Sequence, residues 1–393
     1  MTPTTFANAR LVLPTEVRPG SLVVRGRDIA AVGEVAAEGD VVDLRGQYLL
    51  PGFVELHVHG GGGADFMDLT VEAFRTVARC HARHGTTTMT PTSTVGSFEQ
   101  YRRFLEINAE LDGTADGGAR LVGGHLYGPY FRPDARGCHP AAAFLTPEPG
   151  RDAELLAFAG RGLRTLTVAP ELPGALALIR AARERGLLVT AGHTYATFAE
   201  LRTGVEAGVR HVDHLFCAMS DRARLRQAQA FPMRAGVLEG TLAFDELTTE
   251  VIADGHHLDE GLLHFAYKVK GPDRLALVSD TMRAVDCPDG EFWFGAVGTG
   301  ERVRKLGSGG VTLDGAGLAS AVVGFDHAVR LMASYPWADL PAVARMASLT
   351  PARILGLDHE CGSLADGKRA DLVVMDADFR VTAVYVGGVK IAN

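Results

Sequence analysis

Short apolar runs recur along the middle of the chain at "LLPGFVELHVH", "TTTMTPTS", "LVGGHLYGPYF", "RTLTVAPE", "LLVTAGHT", "HVDHLF", "TTEVIADGHH" and "LALVSDT", and each reads as a strand. Helical segments separate them. Ser97 with Gln100 and Thr197 with Glu200 each carry the capping box that satisfies the first free N–H groups of a helix. Asp339 ahead of Leu340-Pro341 marks another helix start, and Gly85 and Gly208 stand where helices should stop. Strands alternating with helices imply parallel βα units. Eight such strands favour an α/β protein built as a (β/α)8 TIM-like barrel over an open doubly wound sheet. The stretch "HGGGGADF" lacks the spacing of a dinucleotide-binding fingerprint.

The ends of the chain follow another pattern. "FANARLVLPTEVRPGSLVVRGRDIAAVGEV" and "GSLADGKRADLVVMDADFRVTAVYVGGVKI" alternate β-branched runs with turn residues, as small antiparallel sheets do. Residues 1–50 and 357–393 are therefore expected to meet in one β-sandwich, with the barrel over 51–356.

Composition narrows the function classes. The chain has 393 residues, 47% of them hydrophobic, enough for one large domain or two. A formal net charge of −8 without a basic run argues against nucleic acid. No run is long enough for a membrane span, and the first residues lack the zones of a signal peptide. Five scattered cysteines read as reduced thiols of a cytoplasmic protein.

The histidines carry the chemistry. In a barrel, catalytic groups gather at the C-terminal strand ends. "HVH" closes the first strand and puts His57 and His59 on one face, because strand side chains alternate. His193 closes the fifth strand in "AGHT", His214 lies in "HVDHLF" of the sixth, and Asp280 closes the eighth in "VSDT". One histidine at a strand end is commonly a hydrogen-bonded structural residue. The ordered set is hard to explain as packing, and neutral imidazoles with one carboxylate suit a divalent first-row metal, zinc first, with iron or manganese also compatible and one or two ions. His211 begins its strand and is not expected to be a ligand. His81 and His84, near the end of a surface helix, are expected to be solvated or to pair with the helix dipole.

These phrases resemble the amidohydrolase superfamily, and more narrowly the N-acetylglucosamine-6-phosphate deacetylases. "LLPGFVELHVHGGGG", "HLYGPYF", "RGCHP", "VAPE", "AGHT", "DHLFCAM", "VIADGHHL", "LVSDTM" and "GSLADGKRADLVVMD" carry the likeness along nearly the whole chain. The resemblance implies a metal that activates water for attack on an acetamide carbonyl, with Asp280 taking the water's proton and passing it to the departing amine. It implies metal-binding roles for His193 and His214, a substrate contact for His139, a sugar-phosphate contact for His257, and a homodimer. Arg234 matches the family's phosphate-binding arginine, with Arg222, Arg224 and Arg226 as competitors. Cys217 and Ala218 stand where the family has Asn-Ala in the substrate seat.

In "GHLYGPYF", Tyr127 occupies the place of the family's metal-binding Glu. Three roles remain open for that site: a metal held by His57, His59, His193 and Asp280 with His214 beside it; a Tyr127 that coordinates as phenolate or donates to the developing oxyanion; or weak metal binding and little chemistry. The expected activity is deacetylation of an N-acetylated amino sugar, N-acetylglucosamine 6-phosphate first. The alternatives are a different N-acyl sugar, cyclic amide or amidine as substrate, or a sugar-phosphate binder without turnover.

Overall fold

The computed structural model describes residues 2–140, 143–228 and 232–392. Five strands open the chain: β1 (Thr4–Val12), β2 (Val17–Arg25), β3 (Asp28–Gly33), β4 (Asp40–Asp43) and β5 (Tyr48–Pro51). Then come β6 (Phe53–Val58), β7 (Thr86–Pro91), β8 (Gly124–Tyr130), β9 (Leu163–Val168), β10 (Leu188–Ala191), β11 (His211–Val212), β12 (Thr248–Ile252) and β13 (Leu275–Val278). Four more, β14 (Gly290–Phe294), β15 (Glu301–Leu306), β16 (Gly309–Thr312) and β17 (Leu318–Ala321), form an antiparallel sheet of their own. The chain closes with β18 (Leu372–Met375), β19 (Val381–Val386) and β20 (Val389–Lys390). Further two-residue strands form at Gly60–Gly61, Ala64–Asp65 and Arg120–Leu121.

The two ends of the chain pair in one eight-stranded sheet, in the order β20-β19-β18-β5-β1-β2-β3 with β4 alongside β1. Phe6, Leu11, Leu22, Leu49, Leu372 and Val374 form its buried face. The sequence reads "LLPGFVELHVH" as one strand; the structure divides it at Gly52. Tyr48–Pro51 belongs to the terminal sheet and Phe53–Val58 to the parallel strands. A Cβ on Gly52 would lie 2.1 Å from the Thr87 hydroxyl, so only glycine lets the chain pass this crossing.

In the middle, β6 and β7 pair in parallel, and β8 through β13 form a six-stranded parallel sheet. A parallel bridge between Thr92 and His125 joins β7 to β8. At the other edge the Asp280 N–H donates to the His57 carbonyl at 2.9 Å, and the His59 N–H to the Thr281 carbonyl at 2.9 Å. Every residue of β6, β7 and β8 is buried, as expected of parallel strands covered on both faces. Val54, Leu56, Ile252, Ala276 and Val278 pack inside with Leu357 and Cys361, so the packing runs on past residue 356. Helices follow the strands, and the predicted boxes at Ser97/Gln100 and Thr197/Glu200 both cap helices, at Phe98–Leu111 and Phe198–Ala207. No helix among the described residues is long and apolar enough to cross a membrane.

The helix Val71–Arg83 corrects one expectation. His81 is fully buried rather than solvated, and its Nε2–H donates to the Gly60 carbonyl at 2.9 Å; burial pushes it down to about 4. His84 donates to Asp326 at 2.9 Å and Asp286 at 3.0 Å; burial opposes its charge, but these carboxylates overcome it and raise His84 to about 9. A raised folded-state value gives stability that is full below the unfolded value and lost as pH rises through the folded one. Asp286→Asn is therefore expected to lower Tm at pH 7, with the gap to wild type narrowing as pH climbs through about 9. Thermal unfolding of both proteins across that window checks it; a constant gap would show that Asp286 contributes through Arg83, 3.0 Å away, and packing rather than through the charge on His84.

Candidate metal and catalytic site

The C-terminal ends of the parallel strands converge on a cleft lined by His59, Tyr127, His139, His193, His257 and Asp280, among others. Three of the predicted residues, His193, His214 and Asp280, hold left-handed backbone at φ 46°, 24° and 46°. Such backbone is costly for residues other than glycine; His193 and Asp280 line the cleft just past their strand ends, and His214 is buried beside it.

His57 is anchored from behind. Its Nδ1–H donates to Glu250 Oε1 at 2.7 Å, and Glu250 in turn accepts from His211 at 3.1 Å and from the His214 backbone N–H at 3.2 Å. That fixes the tautomer and leaves His57 Nε2 buried without a hydrogen-bond partner, 3.7 Å from Asp280 Oδ1. His59 places Nε2 3.2 Å from the same oxygen, and its Nδ1 faces the Thr92 carbonyl at 3.2 Å. An imidazole that gives one N–H to a carboxylate and presents the other nitrogen bare is the usual posture of a metal ligand. Two imidazole nitrogens and one carboxylate around an open cleft fit a divalent cation. His214 stands close as well: one ligand atom each of His57, His214 and Asp280 lie within 4.8 Å of one another.

The electrostatics agree. Burial opposes charge on Asp280, yet His57 and His59 beside it hold its carboxyl well below the usual range. Burial likewise opposes protonation of His57, but Asp280 and Glu250 push it up to about 10. A proton is thus drawn to the space between His57 and the carboxylates, and a divalent cation satisfies the same field more fully. Burial lowers His139 and His193, keeping them neutral. His193 gives Nδ1–H to the Ala135 carbonyl at 2.7 Å, which leaves Nε2 as its free atom. The Val95 N–H makes a long contact of 3.5 Å with His139 Nδ1.

Tyr127 is buried at the heart of the site, its hydroxyl 2.7 Å from His214 Nε2. Cys217 and Ala218 line the cleft as predicted, and burial pushes the Cys217 thiol up to about 12, so it stays neutral. His257 lines the cleft and pairs with Asp254 at 2.7 Å. Arg234 is the exception. It is exposed, on the loop before the helix Val237–Ala243, and is not among the lining residues; Arg222, Arg224 and Arg226 are exposed too.

Sequence reasoning missed the groups behind the ligands. Glu55, Asp213 and Glu250 are lone acids inside apolar strand runs, and all three are buried. A buried acid needs partners, so a single carboxylate in such a run was the available signal. Asp213 accepts from the Thr167 and Thr190 hydroxyls, and burial raises it to about 7. Burial also raises Glu55 to about 8. The antiparallel sheet β14–β17 was missed as well, although "CPDG", "GSGG" and "DGAG" flank its runs with turn residues. It contributes Phe294, Leu318 and Ser320 to the cleft wall.

Glu250→Gln is expected to weaken metal affinity by about 10–100-fold, the usual cost of losing an outer partner of a liganding histidine. Titration of metal-free protein with zinc measures it; an unchanged affinity would show that His57 is oriented by packing alone.

The amidohydrolase family profile matches residues 48–391. The chain is 31% identical to the N-acetylgalactosamine-6-phosphate deacetylase of Escherichia coli O157:H7, over 92% of this chain and 91% of that protein. It is 32% identical to the N-acetylglucosamine-6-phosphate deacetylase of Bacillus subtilis (strain 168), over 90% and 86%. Among solved structures, it superposes with a TM-score of 0.90 and 29% identity on a variant of the Mycobacterium smegmatis N-acetyl-D-glucosamine-6-phosphate deacetylase in complex with N-acetyl-D-glucosamine-6-phosphate, covering 100% of both chains.

Proposed function

Since this chain belongs to the amidohydrolase family, we propose that it is a metal-dependent deacetylase of an N-acetylated amino-sugar phosphate, N-acetylglucosamine 6-phosphate first, releasing glucosamine 6-phosphate and acetate. The observation that carries this reading is Asp280, poised beside the unpaired His57 Nε2 and His59 at a cleft between the strand ends. The relatives and the superposed structure support the substrate class.

His57, His59, His193, His214 and Asp280 are the residues to hold the ion; one ligand atom each of His57, His214 and Asp280 lie within 4.8 Å of one another. When bound, a divalent ion supplies Lewis acidity to the carbonyl and makes an incoming water more acidic. Asp280 accepts the water's proton as oxygen adds to the acetamide carbon. It then hands that proton to the amine nitrogen as the C–N bond breaks, so no external acid is needed. His139, kept neutral by burial, hydrogen-bonds the substrate near the carbonyl, and His193, neutral as well, offers its free Nε2 to the ion. His257, whose charged form Asp254 favours against the cost of burial, faces the sugar phosphate.

The same reading includes a closed (β/α)8 barrel over 51–356, supported by the backbone bonds that tie β7 to β8 and β13 to β6, with 1–50 and 357–393 as a β-sandwich. It includes a cytoplasmic homodimer; the five cysteines, all free, fit a reducing compartment. A galactosamine-configured substrate is the second reading, favoured by the E. coli relative.

Amine release from N-acetylglucosamine 6-phosphate, N-acetylgalactosamine 6-phosphate and the two unphosphorylated sugars tests both. Protein stripped of metal and reloaded with zinc, iron or manganese is the sample. Metal-dependent turnover with higher kcat/KM for a phosphorylated sugar is expected, and the better epimer decides between the readings. Bound metal without turnover on any of the four would overturn the deacetylase.

A further inference from the structure

A second group of ligand-type side chains lies outside the cleft, beside the glycine turn that follows His59. Cys80, Arg83 and His84 come from the C-terminal end of the helix Val71–Arg83, Asp286 from the loop after β13, and Asp326 from the first turn of the helix Phe325–Ser334. One ligand atom each of Cys80, His84 and Asp286 lie within 4.8 Å of one another. Cys80 Sγ is 3.5 Å from Asp286 Oδ2, and His84 Nε2 is 3.0 Å from Asp286 Oδ1. A tetrahedral zinc with sulfur at ~2.3 Å and nitrogen at ~2.0 Å sets its ligand atoms roughly 3–4 Å apart. The separations here already fit that spacing.

The surroundings suit an ion as well. His84 gives Nδ1–H to Asp326 Oδ1 at 2.9 Å, the outer carboxylate that a liganding imidazole commonly has, and turns Nε2 toward Asp286. Backbone packs close on two of the ligands: a Cβ on Gly61 would lie 3.0 Å from Cys80 Sγ, and one on Gly324 2.2 Å from His84 Cγ. Cys80 is buried while the side chains of His84 and Asp286 are partly exposed, so the site opens to solvent on one side. Arg83 holds Asp286 Oδ2 at 3.0 Å and leaves Oδ1 to the ion. Burial and Asp286 push the Cys80 thiol up, so it ionises only with a cation to hold. Charge is conserved. Without an ion, His84 and Arg83 offset Asp286 and Asp326; a dication that displaces the thiol proton of Cys80 and the imidazolium proton of His84 leaves the net charge of the group unchanged.

We infer that Cys80, His84 and Asp286 form a separate cation site for zinc or another thiophilic divalent ion, with Asp326 behind His84 and the fourth position open to solvent. A thiolate beside an imidazole and a carboxylate selects such an ion over magnesium or calcium. The inference goes beyond the deacetylase reading and does not rest on it: whatever number of ions the cleft holds, the whole chain holds one more. An ion here pins the end of the helix Val71–Arg83 to the loop that follows Asp280, against the turn just after His59.

The experiment counts ions per chain by elemental analysis on full-length protein stripped of metal, reloaded with zinc and dialysed, and records absorption spectra of the cobalt form. Circular dichroism and thermal unfolding verify that each variant folds. Wild type is expected to hold one zinc more than Cys80→Ala or His84→Gln, and Asp326→Asn to weaken that ion by about 10–100-fold. Cobalt-loaded wild type is expected to show thiolate charge-transfer absorption that is lost in Cys80→Ala. The band is kept when the cleft thiols are removed together by Cys138→Ser and Cys217→Ser. Equal zinc counts in wild type and Cys80→Ala, or a thiolate band that survives Cys80→Ala, overturn the inference and leave the cleft reading untouched. A failed deacetylase assay, in turn, changes none of these counts. Should Cys80→Ala not fold, His84→Gln, at a partly exposed position, decides by the same zinc count.

Discussion

Asp280→Asn lowers kcat by about 10²–10⁴-fold, the contribution of a positioned proton-transfer group. Among the described residues its carboxylate is the one acid lining the cleft, and His57 and His59 hold it ionised against the cost of burial. The amide keeps an oxygen that can face the ion but cannot accept and return a proton. Turnover falls further than metal occupancy for that reason. The check is kcat at saturating metal, with bound metal measured on the same samples. If occupancy and kcat fall by the same factor, Asp280 is a ligand and nothing more; undiminished turnover removes it as the proton carrier.

Phe53→Ala has the largest expected effect on stability, a loss of about 3–5 kcal/mol, as for buried Phe-to-Ala changes generally. Phe53 begins β6 and is 0% exposed. Its ring lies 5.4 Å from that of Phe325, and a Cβ on Gly85 would meet it at 2.5 Å. The ring therefore fills the space beside Gly85, and alanine leaves that space empty. Urea denaturation of metal-free protein measures the loss without linkage to ion binding. A loss under about 1 kcal/mol would mean that the helix Phe325–Ser334 settles into the gap. Because β6 runs directly into His57, zinc affinity of the folded variant also reports how far the strand start steadies the ligand.

By itself the sequence determined the local rules. The alternation of apolar runs with capped helices predicted parallel βα units, and the boxes at Ser97 and Thr197 cap helices in the structure. "HVH" predicted two imidazoles on one face, and His57 and His59 meet the same Asp280 oxygen. These readings depend on the period of a strand and on groups a few residues apart, which a linear text contains. The tertiary structure alone decided what meets across distant segments. Glu250 reaches His57 from 193 residues away, and Tyr127 reaches His214 from 87. The same holds for His81, buried against Gly60 rather than solvated, and for Arg234, left in solvent off the cleft. Those outcomes follow from strand order and from which strand end faces which. Many pairings satisfy the same pattern of apolar and polar positions until packing selects one.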